Sequence, residues 1–331
     1  MRSAPPLLAV EDLTVRYRTD AGPVTAVERL SFEVAAGSTL GIVGESGSGK
    51  TAASMALMGL LPRTAEVSGS ARLHGQELLG RSDSAMREIR GRRIAVIFQD
   101  ALSALNPMMT IGAQIAEAVH VHDRTRSAGE LRERAVELLD LVGIPSPATR
   151  LDQYPHEFSG GMRQRALIAM GIANDPDILI ADEPTTALDV TVQAQVLDVI
   201  RRVQDRTGTA VLLITHDLGV VAGLADRVMV MYAGTKLEEG GVEEVFYEPS
   251  HPYTRGLLAA LPRIDRRLAR LEPVPGQPPQ PHDRPGGCLF RARCRHAEPE
   301  LCALPLPAPV EVSAGHLTSC VRVHRIASAG S

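Results

Sequence analysis

The sequence predicts an α/β protein built on a mostly parallel sheet with helices on both faces. Two observations carry this prediction. Short apolar strand patterns alternate with helical patterns along most of the chain, as they do when parallel strands are joined by crossover helices. One of those strands also runs straight into a glycine-rich turn and then a helix. In order, Leu7–Tyr17 and Val27–Val34 read as strands, and Leu40–Val43 is a short, wholly apolar strand. A helical pattern follows from Lys50 to Leu61 and stops before Pro62. Ile94–Phe98 is the next strand. The stretch from about Ala101 to Ala173 is mostly helical, with patterns over Ile111–His120, Gly129–Leu141 and Met162–Ala173. Strands return at Ile178–Ala181, Val211–Ile214 and Val228–Met231, separated by helical patterns at Val192–Gln204 and Leu218–Ala225. The central helical block reads as a subdomain inserted into the α/β core.

The chain has 331 residues, 44% of them hydrophobic and 22% charged. That is enough apolar material for one large core or two domains, and it is unlike a disordered chain. The net charge of -4 speaks against bulk electrostatic binding to nucleic acid. No apolar run is long enough to span a bilayer. The apolar patch Pro5–Val10 is short and meets Glu11 and Asp12 at once, so it lacks the pattern of a signal peptide. The expected compartment is the cytoplasm.

Residues Gly44, Glu45, Ser46, Gly47, Ser48, Gly49, Lys50 and Thr51 fit the phosphate-loop pattern G-x-x-x-x-G-K-[ST], with a strand before it and a helix after it. Glycines let the backbone curl so that successive N–H groups face one anion, and the helix N-terminus adds a positive dipole. Lys50 has the reach for the outer phosphates, and the Thr51 hydroxyl is suited to Mg²⁺. A second element is the apolar strand Ile178–Ala181 ending in Asp182 and Glu183. Carboxylates at the C-terminal edge of a parallel strand lie where such sheets bind ligands. Asp182 is expected to hold Mg²⁺, and Glu183 to orient or deprotonate the attacking water. By itself this pair reads equally well as a surface acidic pair.

Phe158-Ser159-Gly160-Gly161-Met162-Arg163-Gln164-Arg165 resembles the signature sequence of the ABC ATPases. A Ser and two Gly at the opening of the following helix suit a second phosphate site; alone they read as an ordinary helix cap. They do not stand alone. Gln99 matches the family's Q-loop, Thr186-Ala187-Leu188-Asp189 its D-loop, and Thr215-His216-Asp217 its switch histidine. Tyr17 sits where the family places an aromatic that stacks on adenine, although an alternating strand also explains it. Phe158, Met162 and Thr186 depart from the commonest family residues, and none removes a phosphate-facing donor.

The resemblance implies a RecA-like parallel core, an N-terminal antiparallel β subdomain and an inserted helical subdomain at about 101–170, all within a cassette of residues 1–250. Two such cassettes would face each other head to tail with ATP between them. Ser159, Gly160, Gly161 and Gln164 would then act in trans on ATP held by a partner. His216 would contact the γ-phosphate, Asp189 would help place Glu183 and the water, and Gln99 would join Thr51 and Asp182 around Mg²⁺.

Finer motifs are similar to those of peptide and nickel importer ATPases: Asp100–Pro107, His156–Arg165, Thr185–Gln195 and His251–Leu258. The last begins the extension typical of that branch, here residues 251–331. The resemblance implies a peripheral subunit on the cytoplasmic face of the membrane. Its partners would be a second, related cassette chain, two membrane permeases and an extracytoplasmic binding protein. Oligopeptides or dipeptides are the expected cargo; nickel import and a soluble regulatory ATPase that transports nothing are the alternatives.

Cys288, Cys294, Cys302 and Cys320 are the only cysteines, and they follow a segment, Pro273–Pro285, with six prolines in thirteen residues. Four thiolates suffice for Zn²⁺ or a [4Fe–4S] cluster; free thiols are the plain alternative. The resemblance to the importer tail favours the cluster. Arg291, Arg293 and Arg295 interleave with the thiols, either to offset cluster charge or as a solvated basic patch.

Overall fold

The computed structural model describes residues 5–20, 22–98, 104–186, 188–261, 274–280, 282–306 and 308–323. Twelve strands are described: β1 (Leu8–Thr19), β2 (Gly22–Val34), β3 (Thr39–Val43), β4 (Ala65–Leu73), β5 (Gln76–Glu77), β6 (Ile94–Ile97), β7 (Ile178–Asp182), β8 (Ala210–Thr215), β9 (Arg227–Tyr232), β10 (Thr235–Gly241), β11 (Val310–Ser313) and β12 (His316–Thr318). The chain divides into two compact units. The first comprises Met1–Leu8, Glu33–Thr39 and Arg72–Thr215; the second comprises Ala9–Phe32, Leu40–Ala71 and His216–Ser331.

In the first unit, β6, β7 and β8 run parallel, with Ile94 opposite Ile178 and Ile178 opposite Ala210. Every residue of β7 and β8 is buried. Strands covered on both faces need such unbroken apolar runs, and each buried Leu or Ile contributes about 1.5–3 kcal/mol. The helical block supplies Ile111–His120, Ala128–Leu141, Pro147–Arg150 and Gly160–Gly171. Ser127 and Glu130 form a reciprocal capping box at the start of the second, which satisfies two backbone donors there. Helix Val190–Thr207 buries Val196, Val199, Ile200 and Val203, the spacing of one helical face. Gly208, at φ 70, ends it in the left-handed conformation.

In the second unit, β1 and β2 are neighbours joined across two residues. So short a connection permits only an antiparallel pair. β3 runs parallel to β9, and β10, β12 and β11 extend that arrangement with antiparallel pairs. Among the described residues, no helix is long and apolar enough to cross a membrane.

The structure departs from the sequence expectation in several places, and β4, β5, β11 and β12 are strands that it did not include. The helix after the glycine-rich turn ends at Leu57, four residues early. Gly59 there adopts φ 60, and the Gly59 and Leu60 N–H groups bond back to the Ala56 and Met55 carbonyls, which closes the last turn. The helix expected from Met162 begins at Gly160, with Ser159 as its cap. Strand β10 was not anticipated, because Glu238 and Glu239 break the apolar pattern. Both are almost fully buried. Glu239 pairs with Arg227 at 2.6 Å and Lys236 at 2.5 Å. Glu238 accepts from the Ser250 and His251 N–H groups and meets His316 Nε2 at 2.7 Å. Buried charge is tolerated only with such partners, and sequence alone does not reveal them.

Candidate functional site

The glycine-rich loop lies between β3 and helix Lys50–Leu57. Two glycines there have no substitute. A Cβ on Gly44 would sit 2.2 Å from the Met231 carbonyl oxygen, and one on Gly49, at φ 96, would sit 2.4 Å from that of Ala26. The loop therefore packs its backbone directly against neighbouring backbone. Lys50 is buried. Its Nζ donates to the carbonyls of Gly44 at 2.7 Å and Glu45 at 3.0 Å, and to Ser48 Oγ at 3.3 Å. The ammonium is thus fixed inside the curl of the loop. Ser46, Gly47 and Thr51 are exposed.

Beside the loop opens a cleft of about 200 Å³, lined by Tyr17, Ser46, Gly47, Pro278, Pro279 and Arg284 among others. Burial raises the Tyr17 phenol above its ordinary value, so the ring is a neutral face at physiological pH. Sequence reasoning found Tyr17 but missed the two prolines and Arg284, which belong to the proline-rich segment after residue 273. Arg284 is anchored by the Thr25 carbonyl at 2.9 Å and Glu28 at 2.8 Å.

In the other unit, Asp182 ends β7 and is buried. Glu183 follows at φ 49, a left-handed conformation that a non-glycine residue adopts only when its surroundings impose it. Its N–H donates to the Ile214 carbonyl at 2.8 Å, and the Thr186 hydroxyl donates to Glu183 Oε2 at 2.9 Å. Asp189 caps helix Val190–Thr207, accepting from the Val192 N–H at 3.0 Å. Ser159 and Gly160 are exposed at the tip of helix Gly160–Gly171, where the Ser159 hydroxyl accepts from the Met162 N–H at 3.3 Å. Gly161 packs so closely that a Cβ would lie 2.7 Å from Val192. Gln164 is buried, and its Nε2 has no hydrogen-bond partner among the described residues. His216, which belongs to the second unit, is exposed in the turn after β8. Gln99 lies outside the described residues. The donors expected for Mg²⁺ within them, the Thr51 hydroxyl and the Asp182 carboxylate, are the hard oxygen ligands that this ion takes.

The four cysteines are free and line one small cavity together with His251 and His296. Burial pushes the Cys288 thiol up to about 11, and the neighbouring Cys302, Cys320 and Cys294 add to the rise. Cys294 and Cys320 are raised by burial as well, with Arg322 pulling both back down. A cation bound among the thiols would reverse that penalty. Among the described residues, however, no group of three or more His, Cys, Asp or Glu is placed to hold a metal ion. The expected metal site is represented by thiols around a cavity, not by ligands gathered at a point. Burial lowers His251 to about 4. Its Nδ1 accepts from the Tyr253 N–H at 3.1 Å, which leaves the ring hydrogen on Nε2.

The arginines between the cysteines are not one solvated patch. Arg293 is 6% exposed and pairs with Glu45 of the phosphate loop. No pattern in the sequence marks that contact, because the two residues are 248 positions apart.

Residues 27–186 match the family model described as ABC transporter, and residues 237–302 match the model of the oligopeptide/dipeptide transporter C-terminal region. The oligopeptide transport ATP-binding protein OppD of Haemophilus influenzae is 49% identical over 95% of this chain and 97% of its own length. The chain belongs to the ABC transporter family, on its oligopeptide/dipeptide branch. The OppD protein of Mycobacterium tuberculosis is 53% identical over 97% of this chain, which spans only 52% of that longer relative. The chain thus spans about half the length of the mycobacterial relatives it matches. Among solved structures, a dimeric bacterial ABC transporter cassette, MJ0796, superposes with a TM-score of 0.64 at 25% identity, covering 71% of this chain and 98% of its own. The cassette cbiO1 from Clostridium perfringens gives 0.63 at 25% identity, over 74% and 92%. The ABC cassette architecture read from the motifs is therefore the fold of this chain.

Proposed function

We propose that this chain is the ATP-binding and ATP-hydrolysing subunit of an importer for oligopeptides or dipeptides. The observation that carries the reading is the phosphate loop, with Lys50 held inside it, in a chain whose 237–302 segment matches the oligopeptide/dipeptide C-terminal model. Gly44 to Thr51 receive the phosphates of MgATP, and Tyr17 faces the base. Thr51, Gln99 and Asp182 are the residues that would hold Mg²⁺, which would neutralise charge on the transferred phosphoryl group. Glu183 is the general base or water-positioning group. Its left-handed backbone and the Thr186 hydroxyl hold its carboxylate in one orientation. His216 contacts the γ-phosphate. Ser159, Gly160, Gly161 and Gln164, with Asp189, serve the partner cassette's ATP.

The cassette spans about residues 1–250, with the helical subdomain at about 101–170, and the extension spans 251–331. The subunit sits peripherally on the cytoplasmic face of the membrane, beside a second cassette chain, two permeases and an extracytoplasmic binding protein. Cys288, Cys294, Cys302 and Cys320 hold a [4Fe–4S] cluster. The resemblance of the tail to that of peptide importers favours a cluster over Zn²⁺, and the four thiols border one cavity. When bound, it would cross-link the extension, since ATP hydrolysis needs no redox step.

Uptake in the native host tests the reading. Labelled short peptides and nickel are supplied side by side to cells carrying wild type or Glu183→Gln. Selective loss of peptide uptake in the variant is expected. Selective loss of nickel uptake, or no loss of either, overturns peptide import.

A further inference from the structure

Glu45 is the second residue of the phosphate loop, at a position the loop pattern leaves open. Its carboxylate receives two parallel hydrogen bonds from one guanidinium: Arg293 Nη1 to Oε2 at 2.8 Å and Arg293 Nη2 to Oε1 at 3.0 Å. Fork-to-carboxylate pairing of this kind fixes orientation as well as charge, and lysine does not reproduce it. Arg293 is itself held on every side. Its Nε donates to the Pro275 carbonyl at 2.7 Å, Nη2 also reaches the Val274 carbonyl at 3.3 Å, and Nη1 reaches the Tyr232 hydroxyl at 3.2 Å. The guanidinium lies 5.6 Å from the Tyr232 ring centre and 5.9 Å from that of Phe290.

The Glu45 backbone is secured as well. Its N–H donates to the Tyr253 hydroxyl at 3.1 Å, and its carbonyl accepts from Lys50. Tyr232, Tyr253 and Phe290 pack with ring centres 4.7–5.4 Å apart. The side chain, N–H and carbonyl of one loop residue are therefore all committed, and Arg293 comes from the far C-terminal segment. A bare carboxylate here would repel an incoming triphosphate. The guanidinium cancels that charge and stops the loop from relaxing.

We propose that Arg293 is a positioning residue of the nucleotide site. It neutralises Glu45 and holds residues 44–48 in the shape that receives phosphate, so that ATP affinity depends on the C-terminal extension. This inference rests on the ATP-binding reading above.

The test uses the full-length chain and MgATP displacing a fluorescent ATP analogue, with hydrolysis followed in the assembled transporter. Arg293→Gln should raise the ATP Kd by about tenfold or more, the loss expected when hydrogen bonds to a charged group are removed. At saturating ATP, kcat should stay within about threefold of wild type, because Arg293 stabilises the bound ground state and transition state alike. Arg293→Lys keeps the charge and the fold, and should raise Kd by about threefold or more. Adding Glu45→Gln to Arg293→Gln should restore part of the affinity, since no anion then remains to be neutralised. A folded Arg293→Lys variant with wild-type Kd overturns the inference. So does a double variant whose loss is the sum of two independent losses. Failure of the wild-type chain to displace the analogue would instead overturn the ATP-binding reading itself.

Discussion

The phosphate loop and the cysteine cavity belong to the same compact unit, yet they are built in opposite ways. The loop is eight consecutive residues whose identities enforce the geometry: Gly44 and Gly49 because no Cβ fits, Lys50 because its ammonium fills the curl. The cavity gathers residues from 251 to 322, and none of its short segments specifies the others. In such a local site Gly44, Gly49 and Lys50 tolerate no substitution, whereas the positions the pattern leaves open do. A site assembled from distant segments spreads its stability over many weak contacts, so single changes there should have graded effects. The two are nonetheless linked, because Arg293 beside Cys294 grips Glu45.

Hydrolysis rates can break or sharpen this contrast. Lys50→Ala should have the largest effect, lowering turnover by about 10²–10³-fold, the loss that follows removal of a donor to developing negative charge. Turnover within tenfold of wild type would place the phosphates elsewhere. Glu183→Gln should retain ATP binding in an equilibrium assay and lose about 100-fold or more of turnover, as for a missing general base. Thr186→Val removes the hydroxyl that donates to Glu183 Oε2. It should slow turnover by about tenfold, the worth of one hydrogen bond to a charged group; an unchanged rate would mean that the Thr186 hydroxyl does not orient Glu183. Cys302→Ser should have the smallest effect, leaving turnover within about threefold. The same change should strip the anaerobically purified chain of iron, from about four atoms to fewer than one. Stoichiometric zinc without iron in the wild type would replace the cluster with a single-ion site.

Much of the fold was legible because its signals are local. β3, β7 and β8 are buried on both faces and so are continuously apolar. The helix over Ile111–His120 has its apolar face and its Thr110 cap in the sequence itself. The order of the motifs from Tyr17 to His216 was legible for the same reason. β10 was not legible, because Glu238 and Glu239 are acceptable inside only with His316, Arg227 and Lys236 as partners. β11 and β12, a short hairpin near the end of the chain, carry too few residues for a periodicity to register.

By itself, then, the sequence determined the α/β class, the phosphate loop and the family, since each rests on residues that are neighbours along the chain. Only the tertiary structure decided that Pro278, Pro279 and Arg284 wall the cleft beside Tyr17, that the four thiols share one cavity, and that Arg293 is a buried partner of the phosphate loop. Those contacts join segments up to about 260 residues apart. Which distant side chain meets which is set by how strands and helices pack, and hydrophobic pattern or residue spacing carries no record of it.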